Sequence, residues 1–154
     1  MQDKRLTCLG SGGLSFDIVT ERDYPEGYIK QKTYSDHILL QEAGGACGNL
    51  MSFLSYYGWE TYPIARIDTS LISKQLIADL NRYGVDTRFI FQHIKNDTPV
   101  IQYRQETDKE GNQIIKNYLY CSDGIYHRFR PAVKEITQKI AKADILQCLD
   151  FTPQ

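Results

Sequence analysis

Gly44 and Gly45 stand between an apolar run, His37 to Glu42, and a segment of helical periodicity that begins near Ala46. A glycine pair at such a strand-to-helix turn has two readings. Either packing there excludes a Cβ, or a Cβ-free backbone lets a ligand approach while the helix N-terminus offers its N–H groups. Asn49, four residues beyond Gly45, places in the first helical turn an amide that can donate to and accept from a hydroxyl, or cap locally. Asp17, set between Phe16 and Ile18, is either a loop cap or a carboxylate aimed into a cleft. The pair lacks the G-x-G-x-x-G spacing of a dinucleotide cradle. Cys8, Cys47, Cys121 and Cys148 form no C-x-x-C pair, and His37, His93 and His127 have no i,i+4 partner. No metal site is therefore expected, and the thiols read as free and mostly buried.

The elements that must hold these residues follow from hydrophobic period and from glycine stops. Leu6 to Leu9, closed by Gly10-Ser11-Gly12-Gly13, predicts a buried strand, and Leu14 to Val19 follows it. Residues 20 to 36 are polar, with a turn at Pro25-Glu26-Gly27, before the strand His37 to Glu42. Leu50, Phe53, Leu54 and Tyr57 recur at helical spacing up to Gly58. Thr61 to Ile67 is rich in β-formers, and Ser70 to Tyr83 repeats the helical pattern up to Gly84. Strand, helix, strand, helix implies a parallel sheet with right-handed crossovers. Thr87 to His93, Pro99 to Gln105 and Gln113 to Tyr120 then predict short antiparallel strands, the last two joined by a hairpin loop at 108–112. Val133 to Ala143 reads as a helix and Asp144 to Leu149 as a last strand.

Bulk properties bound the function. At 154 residues the chain is one domain that can bury a sizeable core. Net charge is −1, from 18 basic and 19 acidic residues without a basic cluster, so nucleic acid is not an expected partner. No window approaches the roughly 18 apolar residues of a membrane span, and residues 2–5 are polar and charged, so no membrane partner and a cytoplasmic location are expected.

Taken together, Asp17, Gly44-Gly45 with Asn49 at G-G-x-x-x-N, the helix end at Tyr57-Gly58, Pro63-Ile64-Ala65-Arg66 and Leu80-Asn81-Arg82-Tyr83-Gly84-Val85-Asp86 resemble the N-terminal half of a ribokinase-like carbohydrate kinase of the PfkB type. The match runs in order through most of residues 6–104, and Ala143-Asp144-Ile145-Leu146 is similar to the following strand. The resemblance implies an α/β fold, a ribokinase-like Rossmann-type three-layer sandwich of which this is the N-terminal part, with a small antiparallel β lid. It places the core at about 6–19, 43–92 and 132–150 and the lid at about 20–42 and 98–130 of a single truncated domain. It implies ATP- and Mg2+-dependent phosphorylation of a sugar or nucleoside hydroxyl. Asp17 would accept bonds from substrate hydroxyls, Gly44 and Gly45 would admit the sugar, and Asn49 would hold another hydroxyl. Ile101, Tyr103 and His127 read as lid packing before substrate or dimer contacts.

Two departures qualify the resemblance. Asp68 stands in a segment without the family's flanking glycines, and an ungapped register counted back from Gly84 puts Ser70 at the family's aspartate position. Asp68 is thus the weakest of the substrate candidates. The family's G-A-G-D-type motif, which supplies the catalytic base and the anion hole, does not occur, so no catalytic residue is assigned and the 154-residue chain is expected to be inactive alone. Its partners would be the sugar or nucleoside and further copies of itself, through the lid or an exposed sheet edge. The alternatives are a noncatalytic binding or oligomerisation module, or a different α/β enzyme whose glycine pair is only structural.

Overall fold

A computed structural model describes residues 5–23, 35–108, 110–121 and 134–148. Two four-stranded sheets organise them. The core sheet has the order β5-β4-β1-β8, built from β1 (Thr7–Ser11), β4 (Glu60–Ile67), β5 (Ile90–Gln92) and β8 (Ile145–Cys148), all parallel. A parallel sheet needs cover on both faces, and the period-two alternation of its strands supplies it. Cys8, Ala65 and Ile67 face one cluster with α1 (Gly45–Tyr56) and α2 (Leu71–Arg82). Leu9, Tyr62 and Ile64 face the other, with Ile136 of α3 (Lys134–Ile140). The result is a helix–sheet–helix sandwich.

The first two helices begin and end within a residue of where the sequence places them, and the third stops at Ile140, three residues before the expected Ala143. α1 buries Cys47 and Met51 and stops before Gly58, whose φ of 85° is left-handed. α2 buries Leu76 and Leu80, is capped by Ser70 accepting from Ser73 N at 3.2 Å, and ends before Gly84, φ 83°. Of the expected third helix, Val133 lies outside the described residues, as does the turn at Pro25-Glu26-Gly27.

The second sheet has the order β3-β2-β6-β7, from β2 (Ser15–Asp23), β3 (Ser35–Gly44), β6 (Val100–Thr107) and β7 (Gln113–Tyr120). β2 runs antiparallel to β3 and parallel to β6, and β6 and β7 form the expected hairpin. Asp108 closes that hairpin, its Oδ1 accepting Glu110 N and Asn112 N, both at 2.8 Å.

Three expectations change. Asp17 lies within strand β2, not in a loop, so the second sheet begins at Ser15 and not at residue 20. The element order alone would put the strand that feeds Gly44-Gly45 in the parallel sheet, but it belongs to the second sheet, within the range 20–42 that the resemblance gives to the lid; the parallel partners of β4 are β1 and β5. The segment around Ile90 joins the core sheet in parallel, because Ile90 and Phe89 are buried against its two faces.

Residues paired across the second sheet share a face. Asp17, Glu42 and Ile101 stand in one row, with Val19, Leu40 and Tyr103 in the next. On the opposite face Phe16, Ala43 and Val100 pack on the core. Farther out that face carries an ionic network: Arg22 Nε meets Asp36 at 2.8 Å, Arg104 Nη2 meets Asp36 at 3.2 Å, and Lys116 Nζ meets Glu106 at 2.6 Å.

Candidate functional site

The site forms where β3 of the second sheet runs without a break into α1. Gly44 pairs with Ser15, and Asp17 sits two residues along β2 on the same face. Asp17 Oδ1 accepts the Ser15 hydroxyl at 2.6 Å, and its carboxylate also accepts the Gly45 N–H at the start of α1. The two glycines are needed for different reasons. Gly44 is extended, with φ −143° and ψ −151°, but a Cβ there would overlap Asp17 Oδ2 and lie 2.8 Å from Oδ1. Gly45 has φ +81°, and a Cβ would strike the Gly13 carbonyl oxygen and lie 2.9 Å from Ser15 N. The Gly13 carbonyl in turn accepts Cys47 N at 3.1 Å, which locks the turn.

Burial pushes the Asp17 carboxyl above its ordinary value, and the bonds from Ser15 and Gly45 offset part of that rise. A half-buried carboxylate with raised proton affinity is a strong acceptor for a hydroxyl. α1 has no acidic residue in its own first turn, so Asp17, delivered from β2, supplies the anion at its positive end. That position is where a phosphate would otherwise bind. With a carboxylate already there, the turn suits a neutral, hydroxyl-donating ligand and does not suit a nucleotide phosphate. No group of three or more His, Cys, Asp or Glu able to hold a metal occurs among the described residues.

Asn49 lies one turn along α1 and is exposed. Sequence reasoning left Tyr103 as lid packing. The structure places it on the Asp17 face, where burial first and the Asp17 charge second push its phenol upward. Ile101, directly opposite Asp17, is an apolar residue of the same face. The only signal for either in the sequence is the alternation of β6, which does not say which face meets Asp17. His127 lies outside the described residues.

Asp68 is not brought against Asp17 by any bond described. Its carboxylate accepts Ser70 N at 2.8 Å and the Ser73 hydroxyl, organising the start of α2. Burial pushes its carboxyl up, but the bonds from Ser73, Ser70 and Thr98 prevail and hold it below the usual range. Asp68 reaches the site through the backbone: its N–H donates to Thr98 Oγ1 at 3.1 Å, and the next carbonyl, of Pro99, accepts Phe16 N at 2.8 Å. Ser70, the other residue in register for that role, is the α2 cap.

No protein-family model matches the sequence, and no curated protein matches it. Solved structures do match the fold. Ribokinase from Arabidopsis thaliana, complexed with ribose and ATP, superposes with a TM-score of 0.70 at 16% identity over 94% of this chain and 45% of its own. Fructokinase from Xylella fastidiosa gives 0.69 at 18% identity over 92% of this chain and 40% of its own. A PfkB protein from Polaromonas sp. JS666 gives 0.63 at 16% identity over 92% and 43%. The fold is thus the ribokinase-like fold of PfkB-type carbohydrate kinases, and the chain spans less than half the length of each of these structures. No helix among the described residues is long and apolar enough to cross a membrane.

Proposed function

We propose that this chain forms the sugar-binding wall and lid of a PfkB-type kinase that phosphorylates a hydroxyl of a sugar or nucleoside with ATP. One observation carries the reading: Asp17 is held by Ser15 and Gly45 over the Cα of Gly44, at the positive end of α1 and on the β2–β6 face of the second sheet. In this reading Asp17 accepts from ligand hydroxyls, and Gly44 and Gly45 let the ring approach the backbone. The Asn49 amide takes a further hydroxyl, while Ile101 and Tyr103 shut out water. Asp68 acts on the wall indirectly, by tying Thr98 to α2. ATP would supply the phosphoryl group and Mg2+ its charge neutralisation, but the described residues do not fit either group, and none of these steps is assigned to them. The aligned kinases carry more than half of their length outside the matched region.

Proton-detected NMR tests the wall. D-ribose and D-fructose are titrated separately into the 154-residue chain to tens of millimolar. Binding of either moves the Gly44, Gly45 and Asn49 amides, and Asp17→Asn abolishes the shift. If neither sugar moves those amides, the sugar-wall reading fails. The same chain with ATP, Mg2+ and each sugar shows no ADP release in a coupled assay; turnover above background would overturn the proposal that these residues are inactive alone. Association through the exposed apolar residues of the second sheet, Leu40, Ile115 and Leu119, is part of the same reading, and sedimentation at micromolar concentration checks it.

A further inference from the structure

Among the described residues β3 is the edge strand of the second sheet, so alternate backbone groups along it meet no strand there. At its end this edge is covered by a side chain from α2. Ala43 N donates to Asp79 Oδ2 at 3.2 Å, 36 residues away in sequence. Asp79 is only 3% exposed, in a helix whose neighbouring Leu76 and Leu80 are fully buried. Its other oxygen accepts Gln75 Nε2 at 3.1 Å, and Arg82 Nη2 lies 3.5 Å from it. A carboxylate on the apolar stripe of a helix is costly unless its bonds are satisfied there, and an apolar residue would fill the space without that cost. What only a carboxyl or amide can do at this place is reach the N–H of Ala43, the residue before Gly44.

We propose that Asp79 is the positioning residue of the sugar wall: by fastening the end of β3 to α2, it sets where the Gly44-Gly45 turn stands relative to the Asp17 carboxylate. The inference rests on the reading of that turn as a sugar site. The chain of contacts is short. Asp79 holds Ala43, Ala43 leads into Gly44, whose Cα lies under Asp17, and Gly45 donates its N–H to Asp17. If α2 releases Ala43, the Gly45 N–H shifts away from Asp17 and the carboxyl keeps less of the bonding that offsets its burial. Glu42 and, farther out, His37 of β3, Glu21 of β2 and Tyr103 of β6 are titratable groups that share the Asp17 face, and Asp79 substitutions leave all four in place.

The test reads the Asp17 carboxyl directly, by 13C NMR across pH, together with amide exchange, so its failure is distinct from a failure to bind sugar. Asp79→Ala is expected to raise the Asp17 titration midpoint, displace the Gly45 amide resonance and speed exchange of the Ala43 amide at least tenfold. Leu76→Ala, which loosens the same helix but keeps the Asp79 acceptor for Ala43 N, is expected to leave the Asp17 midpoint in place. An unchanged midpoint and Gly45 resonance in folded Asp79→Ala would overturn the inference, as would an equal displacement in Leu76→Ala. Should Asp79→Ala not fold, Asp79→Leu decides. It fills the same space but offers Ala43 N no acceptor, so faster Ala43 exchange with a displaced Gly45 resonance supports the inference, and no change in either refutes it.

Discussion

Replacing Gly44 by alanine asks whether the wall is built around the Asp17 carboxylate. The backbone at Gly44 is extended and accepts alanine without strain, so any loss comes from the new methyl group. That methyl would overlap Asp17 Oδ2 and stand 2.8 Å from Oδ1. The carboxylate can only turn aside, which breaks the 2.6 Å bond from Ser15 and the bond from Gly45. Hydrogen bonds to a charged group are worth about 1.5–3 kcal/mol each, and rehydration of a half-buried carboxylate returns part of that. The net loss is about 2–3 kcal/mol, which agrees with the roughly 1–3 kcal/mol of overpacking. For a chain of this size that lowers the melting temperature by about 5–10 °C. Thermal unfolding of a double-mutant cycle is the assay. In an Asp17→Ala background the methyl has room, so Gly44→Ala should cost less than about 0.5 kcal/mol, a coupling of about 2 kcal/mol. Gly45→Ala should show no such rescue, because its obstacles are the backbone of Gly13 and Ser15 and a φ of +81°. An equal cost for Gly44→Ala in both backgrounds would refute the reasoning.

Further outcomes follow from the same geometry. The folded chain binds the Asp17 proton more tightly than the unfolded chain does, so this group's contribution is complete below the unfolded value of about 3.9 and is lost as pH rises through the folded value. Asp17→Asn should therefore gain on the wild type in urea unfolding between about pH 4 and 7; a constant difference would contradict it. Glu106 is 4% exposed and held below its usual range by the bond from Lys116 first, against burial, with Arg22 and Arg104 assisting. Its stabilisation is present above the unfolded value of about 4.3 and lost as pH falls through the folded value, and Glu106→Gln should flatten acid unfolding in that window and cost about 1–3 kcal/mol at pH 7. Thr98→Val removes the hydroxyl that receives Asp68 N and should cost about 1–3 kcal/mol, with faster exchange at the Asp68 amide. Asn49→Ala should leave the unfolding free energy within about 0.5 kcal/mol, because the residue is exposed, yet abolish the sugar-induced amide shifts.

Local periodicity and punctuation determined the helices and the hairpin. The spacing of Leu50 and Leu54 before Gly58, and of Leu76 and Leu80 before Gly84, marks helices that the structure contains within a residue or two. The resemblance carried by Asp17, Gly44-Gly45 and Asn49 pointed to the fold that the superpositions show. Asp17, Gly44 and Gly45 come together at one turn, while Asp68 is taken up by α2.

What the sequence could not decide is which strand lies beside which. Ser15 to Asp23 alternates polar and apolar residues only as far as Ile18 and is polar from Thr20, a pattern compatible with an edge of the core or a strand of the lid, and only pairing with Ala43 on one side and Val100 on the other settles it. The same holds for the roles of particular side chains. Asp79 looks like a polar interruption of an apolar stripe until Ala43 arrives from 36 residues away, and Thr98 looks like a loop residue until Asp68 arrives from 30. Tyr103 joins the wall because the β2–β6 register sets it beside Asp17. Helix and turn signals act over four residues or fewer and are therefore written in the chain. Strand pairing and the satisfaction of an edge N–H are long-range events, and only the assembled tertiary structure decides which buried carboxylate meets which donor.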